Sequence, residues 1–286
     1  MATAAVQPAS HNRIDPGSYQ LKPAAFPDYP ATNAPPQTDA GKVATEWVGK
    51  LNKALTGNYD AIHELFLEDS CWRDQLGLSW NYHTLSGPEK IVSFLKSSPH
   101  GSRIKSISID DSNDLHRPKV APVDYKGKVN GVASFLTIDT DVGRGPGLVR
   151  LLQDTEDGGK WKAFTLFTAM HELKGHEETV HSNRPHGVDH GGKPGRKNWQ
   201  ERRTAMENFE DGSQPTVLIL GAGQGGLTSA ARLHQLGVPT LIIDRNQRVG
   251  DNWRNRYHQL VLHDPVWYDH LPYGKPSFQE TPSTPD

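Results

Sequence analysis

Three glycines at fixed spacing, Gly221, Gly223 and Gly226, are the residues of this sequence best suited to holding a ligand. The apolar run Val217–Leu220 precedes them, and a stretch of good helix formers, Leu227–Leu236, follows. In such a pattern the first glycine permits a tight turn, the second lets the backbone approach a phosphate, and the third lets the helix pack close to the strand. The N-terminus of that helix would offer unpaired N–H groups and partial positive charge. G-x-G-x-x-G in this setting indicates a site for the pyrophosphate of a dinucleotide.

A second predicted strand completes the pattern. Gly237 ends the helix, Thr240–Ile243 follows, and Asp244 lies 18 residues after Gly226, close to the ~20 typical of this fingerprint. We expect Asp244 to accept hydrogen bonds from the adenosine ribose, which disfavours the 2′-phosphate of NADP because two anions would meet. The neighbouring Arg245 offsets part of that repulsion. The segment is therefore predicted to be the opening βαβ unit of a dinucleotide-binding domain, with its first strand buried on both faces.

The residues that follow separate FAD from NAD by resemblance. Gly250–Asp251–Asn252–Trp253–Arg254 is followed by LVLHDPVWYDHLPY at 260–273. This combination resembles the flavin-containing monooxygenases, including the Baeyer–Villiger type, over residues 215–273. In that family a G-G-x-W segment lies by the flavin; Gly250 and Trp253 match it, whereas Asp251 replaces its second glycine.

The resemblance implies FAD as cofactor and NADPH as co-substrate, with one oxygen atom of O₂ passing to a heteroatom or a carbonyl group of a small organic substrate. The choice between N/S-oxygenation and Baeyer–Villiger chemistry stays open, and no catalytic residue is assigned. The family's second G-x-G-x-x-G, which would hold NADPH, and its F-x-G-x-x-x-H signature do not occur in this chain. We therefore expect a truncated member that does not turn over alone. The candidate cofactor-binding residues are Gly221, Gly223, Gln224, Gly226, Asp244, Arg245 and Trp253.

Residues 41–172 show helices first and strands afterwards. The predicted helices contain Val43, Trp47, Leu51 and Leu55, then Tyr59–Leu67, then a third helix opened by Gly87–Pro88. The predicted strands are Ile104–Ile109, Val129–Asp139, Gly147–Asp154 and Trp161–His171. This order predicts an α+β domain in which an antiparallel sheet curls over helices. It agrees with the NTF2/SnoaL-like cone that a fungal branch of the resembling family carries at its N-terminus.

Two polar segments flank this domain. Residues 1–40 are rich in Pro, Ala, Ser and Asn and are predicted to be a disordered arm. Residues 173–214 are predicted to be a linker containing a lead-in helix at 196–210, ahead of the partial Rossmann-type FAD-binding domain at 215–286.

A second candidate site lies in the first domain. Trp72, Arg73, Asp74, Trp80 and Tyr82 cluster where cone folds place pocket-lining residues. Asp74, His83 or Asp139 could act there as a general base. The competing interpretation is an aromatic core with a satisfied Arg–Asp pair. If the pocket is real, the alternative function is a small-ligand-binding module, or an isomerase or dehydratase, with a vestigial nucleotide-binding unit. A third possibility, an NAD-dependent dehydrogenase, is disfavoured by the GDNW segment.

Five histidines at four- or five-residue intervals suggest a metal site at first sight, but their spacing matches no standard ligand set. Neighbouring Gly and Pro residues favour a flexible linker, and no metal is predicted. The histidines are His171, His176, His181, His186 and His190.

Composition narrows the classes of partner. The net charge is −2, with 35% hydrophobic and 22% charged residues, so neither nucleic acid nor an anionic membrane is an expected partner. The single cysteine, Cys71, excludes an internal disulfide, is expected to be a small core residue, and fits a reducing compartment. MATAAVQPAS at the N-terminus lacks the features of a signal peptide, and no stretch approaches the ~18 apolar residues of a membrane helix. We expect a soluble, cytoplasmic protein that binds a small-molecule substrate.

Overall fold

The computed structural model describes residues 34–35, 37–98, 102–184, 195–256, 258–259 and 270–273 of the chain. It divides into two compact units between His171 and Glu172. Most of the predicted N-terminal arm lies outside the described residues. Its described end is ordered, because Ala34 is buried and its N–H donates to the carbonyl of Asn130 at 3.1 Å.

The first helix, α1 (Ala40–Leu55), forms where the apolar spacing predicts it. Asp39 caps its N-terminus by accepting a hydrogen bond from the Lys42 N–H at 2.9 Å. The side-chain amide of Asn52 pairs with the backbone of Ile107, donating to its carbonyl and accepting from its N–H, each at 2.8 Å. Asn52 thus takes the place of a neighbouring strand and docks the helix against the sheet.

The second predicted helix is shorter than expected. A 3₁₀ helix spans Tyr59–Glu64, and the next residues, Phe66 and Leu67, begin a strand. The apolar residues of this stretch are divided between the 3₁₀ helix and the strand. Their spacing alone fits one continuous helix, so it does not show where the helix ends. The third predicted helix is confirmed as α2 (Pro88–Ser97), with Gly87 as its N-cap and Pro88 at its first position.

Seven strands of the first unit belong to one sheet. They run in the order β2-β1-β7-β6-β5-β3, and β4 also pairs with β5. The strands are β1 (Phe66–Gln75), β2 (Tyr82–Ser86), β3 (Ile104–Ile109), β4 (Lys119–Pro122), β5 (Asn130–Thr140), β6 (Gly143–Asp154) and β7 (Lys160–Ala169).

The predicted α+β class is confirmed, but an entirely antiparallel sheet is wrong. β1 and β7 are parallel, because β1 enters the sheet beside a strand that comes much later in the chain. The other pairs among these seven strands are antiparallel. The sequence did not predict β1, because a register shift between Phe66 and Cys71 interrupts its alternation of buried and exposed side chains.

The core of this unit lies between the helices and the sheet. Trp47, Phe66 and Trp72 form its aromatic centre, with ring centroids 5.8 Å apart for the first pair and 6.0 Å for the second. The Trp47 indole N–H donates to the carbonyl of Leu65 at 2.9 Å, so the polar atom of this buried ring is satisfied. Through Trp47, α1 is thus hydrogen-bonded to Leu65, the residue directly before β1.

The second unit contains the predicted βαβ pattern. Its elements are β8 (Glu172–Leu173), α3 (Trp199–Glu207), β9 (Val217–Leu220), α4 (Gln224–Gln235), β10 (Thr240–Ile243) and α5 (Asp251–Arg254), with a short 3₁₀ turn at His181–Asn183. β9 and β10 pair in parallel, with Val217 opposite Thr240 and Leu220 opposite Ile243. The helix predicted at 196–210 is shorter, and a capping box of Asn198 and Glu201 marks its start.

The expectation that β9 is buried on both faces is wrong. Leu218 and Leu220 are 55% and 77% exposed, and Ile243 on β10 is 46% exposed. These side chains lie on one face of the two-stranded sheet, since alternate residues of a strand share a face. α4 covers the opposite face, where Ile219 approaches Gly226.

Three distant segments of the second unit meet at Arg232 on α4. Its guanidinium lies 2.9 Å from the Glu178 carboxylate and 4.7 Å from the centre of the Tyr273 ring. The Tyr273 hydroxyl donates to the same carboxylate at 2.6 Å. Hydrogen bonds from Tyr273 and Arg232 hold the pKa of Glu178 below its ordinary value, against a smaller opposing effect of burial. Within the described parts of both units, no helix has the length and apolar content to cross a membrane.

Candidate functional site: a cleft at the glycine-rich turn

The glycine-rich turn joins β9 to α4, and its backbone explains the first glycine. Gly221 has φ +108°, a conformation that side chains with a Cβ rarely adopt. Its N–H donates to the carbonyl of Ile243 at 2.7 Å, which ties the turn to the end of β10. Gly223 is the N-cap of α4 with extended backbone (φ −79°, ψ −176°).

The other two glycines differ in what surrounds them. A Cβ on Gly226 would overlap the carbonyl oxygen of Gly221 and lie 3.3 Å from the Cγ2 of Ile219, so this glycine is required for packing. A Cβ on Gly223 would meet only the side-chain nitrogen of Asn252, at 3.5 Å, an ordinary contact. The described residues therefore leave room at Gly223 that a ligand can use.

Asp244 follows β10 and faces the same turn. One carboxylate oxygen accepts from the Ala222 N–H at 2.6 Å and the other from the Asn246 N–H at 2.7 Å. The hydrogen bonds from Asn246 and Ala222 lower the pKa of Asp244 and, with a smaller effect of Arg245, outweigh desolvation. Asp244 is therefore a carboxylate at neutral pH. It holds the turn in place as well as presenting negative charge beside it.

An open cleft of about 550 Å³ lies along this turn. Its lining residues are Leu220, Gly221, Ile243, Asp244, Arg245 and Asn252. Three of the predicted cofactor-binding residues are among them, and Gly223 adjoins the cleft through Asn252. Sequence reasoning missed Asn252, although it lies inside the GDNW segment already singled out.

Two other predicted cofactor-binding residues, Gln224 and Trp253, are not among the residues that line the cleft. Gln224 is the first residue of α4, so its N–H, like those of the next two residues, has no partner within the helix. Trp253 lies on α5 and is 42% exposed, outside the six residues that line the cleft. Asp251 is buried beside it and contacts Arg248 and Arg254.

The candidate pocket of the first unit is not assembled as predicted. Trp72 and Asp74 face the core with 0% exposure, whereas Trp80 and Tyr82 are 60% and 67% exposed. The Arg–Asp pair of the competing interpretation is also wrong, since Arg73 is exposed and donates to the Thr84 hydroxyl at 2.6 Å. Neighbouring residues of a strand point to opposite faces, which separates the two side chains.

Asp74 instead belongs to a closed hydrogen-bond network. Its carboxylate accepts from the Thr168 hydroxyl at 2.5 Å and from the Leu78 N–H at 2.9 Å, and the Trp72 indole N–H donates to Thr168 at 2.9 Å. His83 lies opposite Asp74 in the β1–β2 ladder, and its Nε2 is 2.6 Å from the Ser79 hydroxyl.

The two remaining residues singled out in the first unit, Asp139 and Cys71, are both half-buried. Asp139 is a half-buried residue of β5, opposite Arg144 of β6. Cys71 is half-buried rather than a core residue, because it lies on the face of β1 opposite Trp72. Burial raises the pKa of its thiol, against an opposing effect of Arg73.

Only part of the histidine series can be located. His186, His190 and the side chain of His181 lie outside the described residues. Among the residues whose positions are described, no group of three or more His, Cys, Asp or Glu side chains could hold a metal ion.

Comparison with known proteins concerns the same segment as the cleft. The family model of an NAD(P)-binding Rossmann-like domain matches residues 219–277. An uncharacterized oxidoreductase CzcO-like of Geobacillus kaustophilus is 45% identical over 56 residues, 20% of this chain and 16% of that protein. Indole-3-pyruvate monooxygenase YUCCA8 of Oryza sativa subsp. indica is 35% identical over 95 residues, 30% of this chain and 23% of that protein. The chain thus matches less than a quarter of the length of either relative.

Solved structures similar to this chain cover its first half. An NTF2-like protein of unknown function from Silicibacter pomeroyi has 12% identity and a TM-score of 0.31, covering 44% of this chain and 91% of that structure. A ketosteroid isomerase-like protein from Erwinia carotovora atroseptica has 10% identity and a TM-score of 0.32, covering 46% and 94%. The glycine-rich turn, its cleft and the family match together identify residues 219–277 as an NAD(P)-binding Rossmann-like domain, in a segment similar to oxidoreductases and monooxygenases.

Proposed function

We propose that the cleft at the glycine-rich turn binds the ADP part of FAD. We further propose that the protein is an FAD-dependent, NADPH-using monooxygenase-type oxidoreductase acting on a small organic substrate. The similarity of this segment to an indole-3-pyruvate monooxygenase and to an uncharacterized oxidoreductase supports the class of reaction. The GDNW segment favours FAD over NAD as the nucleotide held here.

The observation that carries the proposal is the contrast between Gly223 and Gly226. Gly226 is required by the fold, whereas nothing in the described surroundings of Gly223 would clash with a Cβ. A glycine that packing does not require, at the N-cap of a 12-residue helix, is explained by close approach of a ligand to the backbone. The free N–H groups that follow in α4 would donate to the pyrophosphate oxygens.

The charged residues of the cleft have separate tasks in this proposal. Asp244 holds the turn through Ala222 and Asn246 and keeps lone pairs that can accept from ribose hydroxyls. Its negative charge opposes a 2′-phosphate, while Arg245 attracts one, so the balance of the two sets the preference between nucleotides. Bound FAD would supply the redox chemistry, taking a hydride from NADPH and activating O₂.

Calorimetric titration of the full chain with FAD, ADP, NAD⁺ and NADP⁺ tests the proposal. We expect FAD and ADP to bind and NADP⁺ to bind more weakly. Gly223→Ala should weaken FAD binding about tenfold or more without lowering the melting temperature, since a misplaced pyrophosphate costs at least ~1.4 kcal/mol. Gly49→Ala in α1 is the matched control, because a Cβ there also meets nothing within 4 Å and Gly49 does not line the cleft.

Two results would contradict the proposal. One is unchanged FAD affinity in Gly223→Ala, which would leave the open position at that glycine without a ligand. The other is NAD⁺ binding more tightly than FAD, which would favour a dehydrogenase-type site.

A further inference from the structure

Asn252 lines the cleft although it belongs neither to the glycine fingerprint nor to the acidic position, Asp244, that accompanies it. It lines the cleft together with Gly221 and Asp244. Its side-chain nitrogen lies 3.5 Å from the position of a Cβ on Gly223, where the backbone is open. An amide nitrogen is a hydrogen-bond donor, and this one is directed at the start of α4 from a separate segment of chain.

We propose that the Asn252 side-chain amide donates a hydrogen bond to the pyrophosphate of the bound nucleotide, and that Asp251 is the positioning residue that holds it there. This inference rests on the proposed nucleotide site and adds a second group of hydrogen-bond donors to it. The pyrophosphate would then lie between the backbone N–H groups of α4 and the amide of Asn252.

The placement of Asn252 depends on a very short helix. α5 has four residues, Asp251–Arg254, and a helix of that length does not hold its shape without tertiary contacts. Gly250 precedes it as the N-cap, with φ +88° in the left-handed region. Something other than helix propensity must therefore fix the direction of the Asn252 side chain.

Asp251 supplies those contacts. Its Oδ1 lies 2.9 Å from Nη1 of Arg254 and 3.3 Å from Nη2 of Arg248, and its Oδ2 accepts from the Arg248 N–H at 3.1 Å. Arg254 also donates to the carbonyl of Val249 at 3.0 Å. The carboxylate thus joins both ends of the turn that carries Asn252.

The charge state of this cluster suits a neighbouring phosphate. Burial raises the pKa of Asp251. The hydrogen bond from Arg254 and the charge of Arg248 together have a larger, opposite effect, so the pKa lies below its ordinary value. Asp251 is therefore ionised at neutral pH. Two guanidinium groups surround one carboxylate, so the cluster carries net positive charge beside the cleft.

The geometry points to the pyrophosphate rather than to the adenine or the ribose. Asn252 faces Gly223, the N-cap of the helix whose N-terminal N–H groups attract anions. Asp244, the expected ribose partner, follows the adjacent strand β10 and accepts from the N–H of Ala222 rather than facing Gly223. A neutral donor at Gly223 adds a hydrogen bond to phosphate without adding bulk at the point of closest approach.

Asn252→Ala and Asn252→Asp in the full chain test the contact, with ADP, FAD and adenosine as probes. We expect Asn252→Ala to weaken ADP and FAD binding about three- to tenfold, as for one lost hydrogen bond. Asn252→Asp should weaken both more than tenfold, because a carboxylate would face the phosphates. Adenosine, which has no phosphate, should bind the variants and the wild type alike.

Asn255→Asp is the matched control. It makes the same change of charge at an exposed position directly after the same helix, outside the residues that line the cleft. Its ADP affinity should equal that of the wild type. Unchanged ADP affinity in Asn252→Asp overturns the inference alone, whereas a wild-type protein that binds neither ADP nor FAD overturns the nucleotide site and the inference with it.

A double-mutant cycle tests Asp251 as a positioning residue. If Asp251→Asn acts through Asn252, it should weaken ADP binding in the wild type but cause little further loss in the Asn252→Ala background. A purely structural loss would add the same factor in both backgrounds. Additive losses therefore overturn the positioning role.

Discussion

Two carboxylates of this protein have opposite environments. Asp74 is buried, and desolvation raises its pKa above the ordinary value of an aspartate despite hydrogen bonds from Thr168 and Leu78. Asp244 is exposed, and backbone N–H donors lower its pKa. Burial thus disfavours the charge on Asp74, whereas exposure to water and to backbone donors favours it on Asp244.

The raised pKa of Asp74 predicts a specific pH dependence of stability. Between pH 3.8 and its raised folded value, the folded state binds more protons than the unfolded state, so stability falls as pH rises. Asp74→Asn removes this titration. We expect the stability of the wild type relative to the variant to decrease through that window and then stay constant, as measured by denaturant unfolding from pH 3.5 upward. A difference that does not vary with pH, or that increases, would refute the effect.

At the scale of elements, α4 packs closely against β9 because Gly226 has no side chain. Gly226 brings the first turn of the helix against the carbonyl of Gly221 and against Ile219. This close approach aligns the N-terminus of α4 with the end of the strand, and that alignment positions the cleft. The distance between the helix and the strand is therefore set by one residue.

Gly226→Ala should destabilise the second unit by ~1–3 kcal/mol, the usual cost of forcing atoms into a packed contact. Gly225→Ala, one residue earlier on the same helix, should be neutral or stabilising by up to ~1 kcal/mol, because a Cβ there is free and alanine favours helix. Hydrogen exchange of the α4 amides measures both. Equal exchange rates in the two variants would exclude a packing role for Gly226.

Across the whole molecule, burial is very uneven. Among the described residues, every buried apolar side chain except Ala222 lies in the first unit. The second unit has a two-stranded sheet with one exposed apolar face and a helix, α3, in which no residue is buried. Because stability comes mostly from buried apolar surface, the two units should differ in local stability.

Hydrogen exchange of the full chain should therefore show strong protection in β5, β6 and β7 and weak protection in β9, β10 and α4. Saturating FAD should raise protection in the second unit only, by about 2.7 kcal/mol at a ligand concentration one hundred times the dissociation constant. Equal protection of both units without ligand would contradict the burial argument. A ligand effect spread over β5–β7 would contradict a site confined to the glycine-rich turn.

Local patterns predicted the elements that depend on local chemistry. The spacing of Trp47, Leu51 and Leu55, the Gly87–Pro88 start of α2, and the strand–glycine–helix order at Gly221 all have counterparts in the structure. Caps, turns and apolar periodicity act over a few residues, so they can be recognised without knowing the fold. β1 and β2 were missed, because their pairing partners are distant and the bulge in β1 disrupts its alternation.

By itself the sequence determined where the strand–glycine–helix turn lies and which glycines build it, because a turn, a helix start and a close packing contact each demand a residue type. Only the tertiary structure decided which side chains surround that turn. It placed Asn252 against Gly223 and buried Asp74 in the first unit, and it left one face of β9 exposed. Burial and proximity depend on segments distant in the chain, so no local pattern carries them.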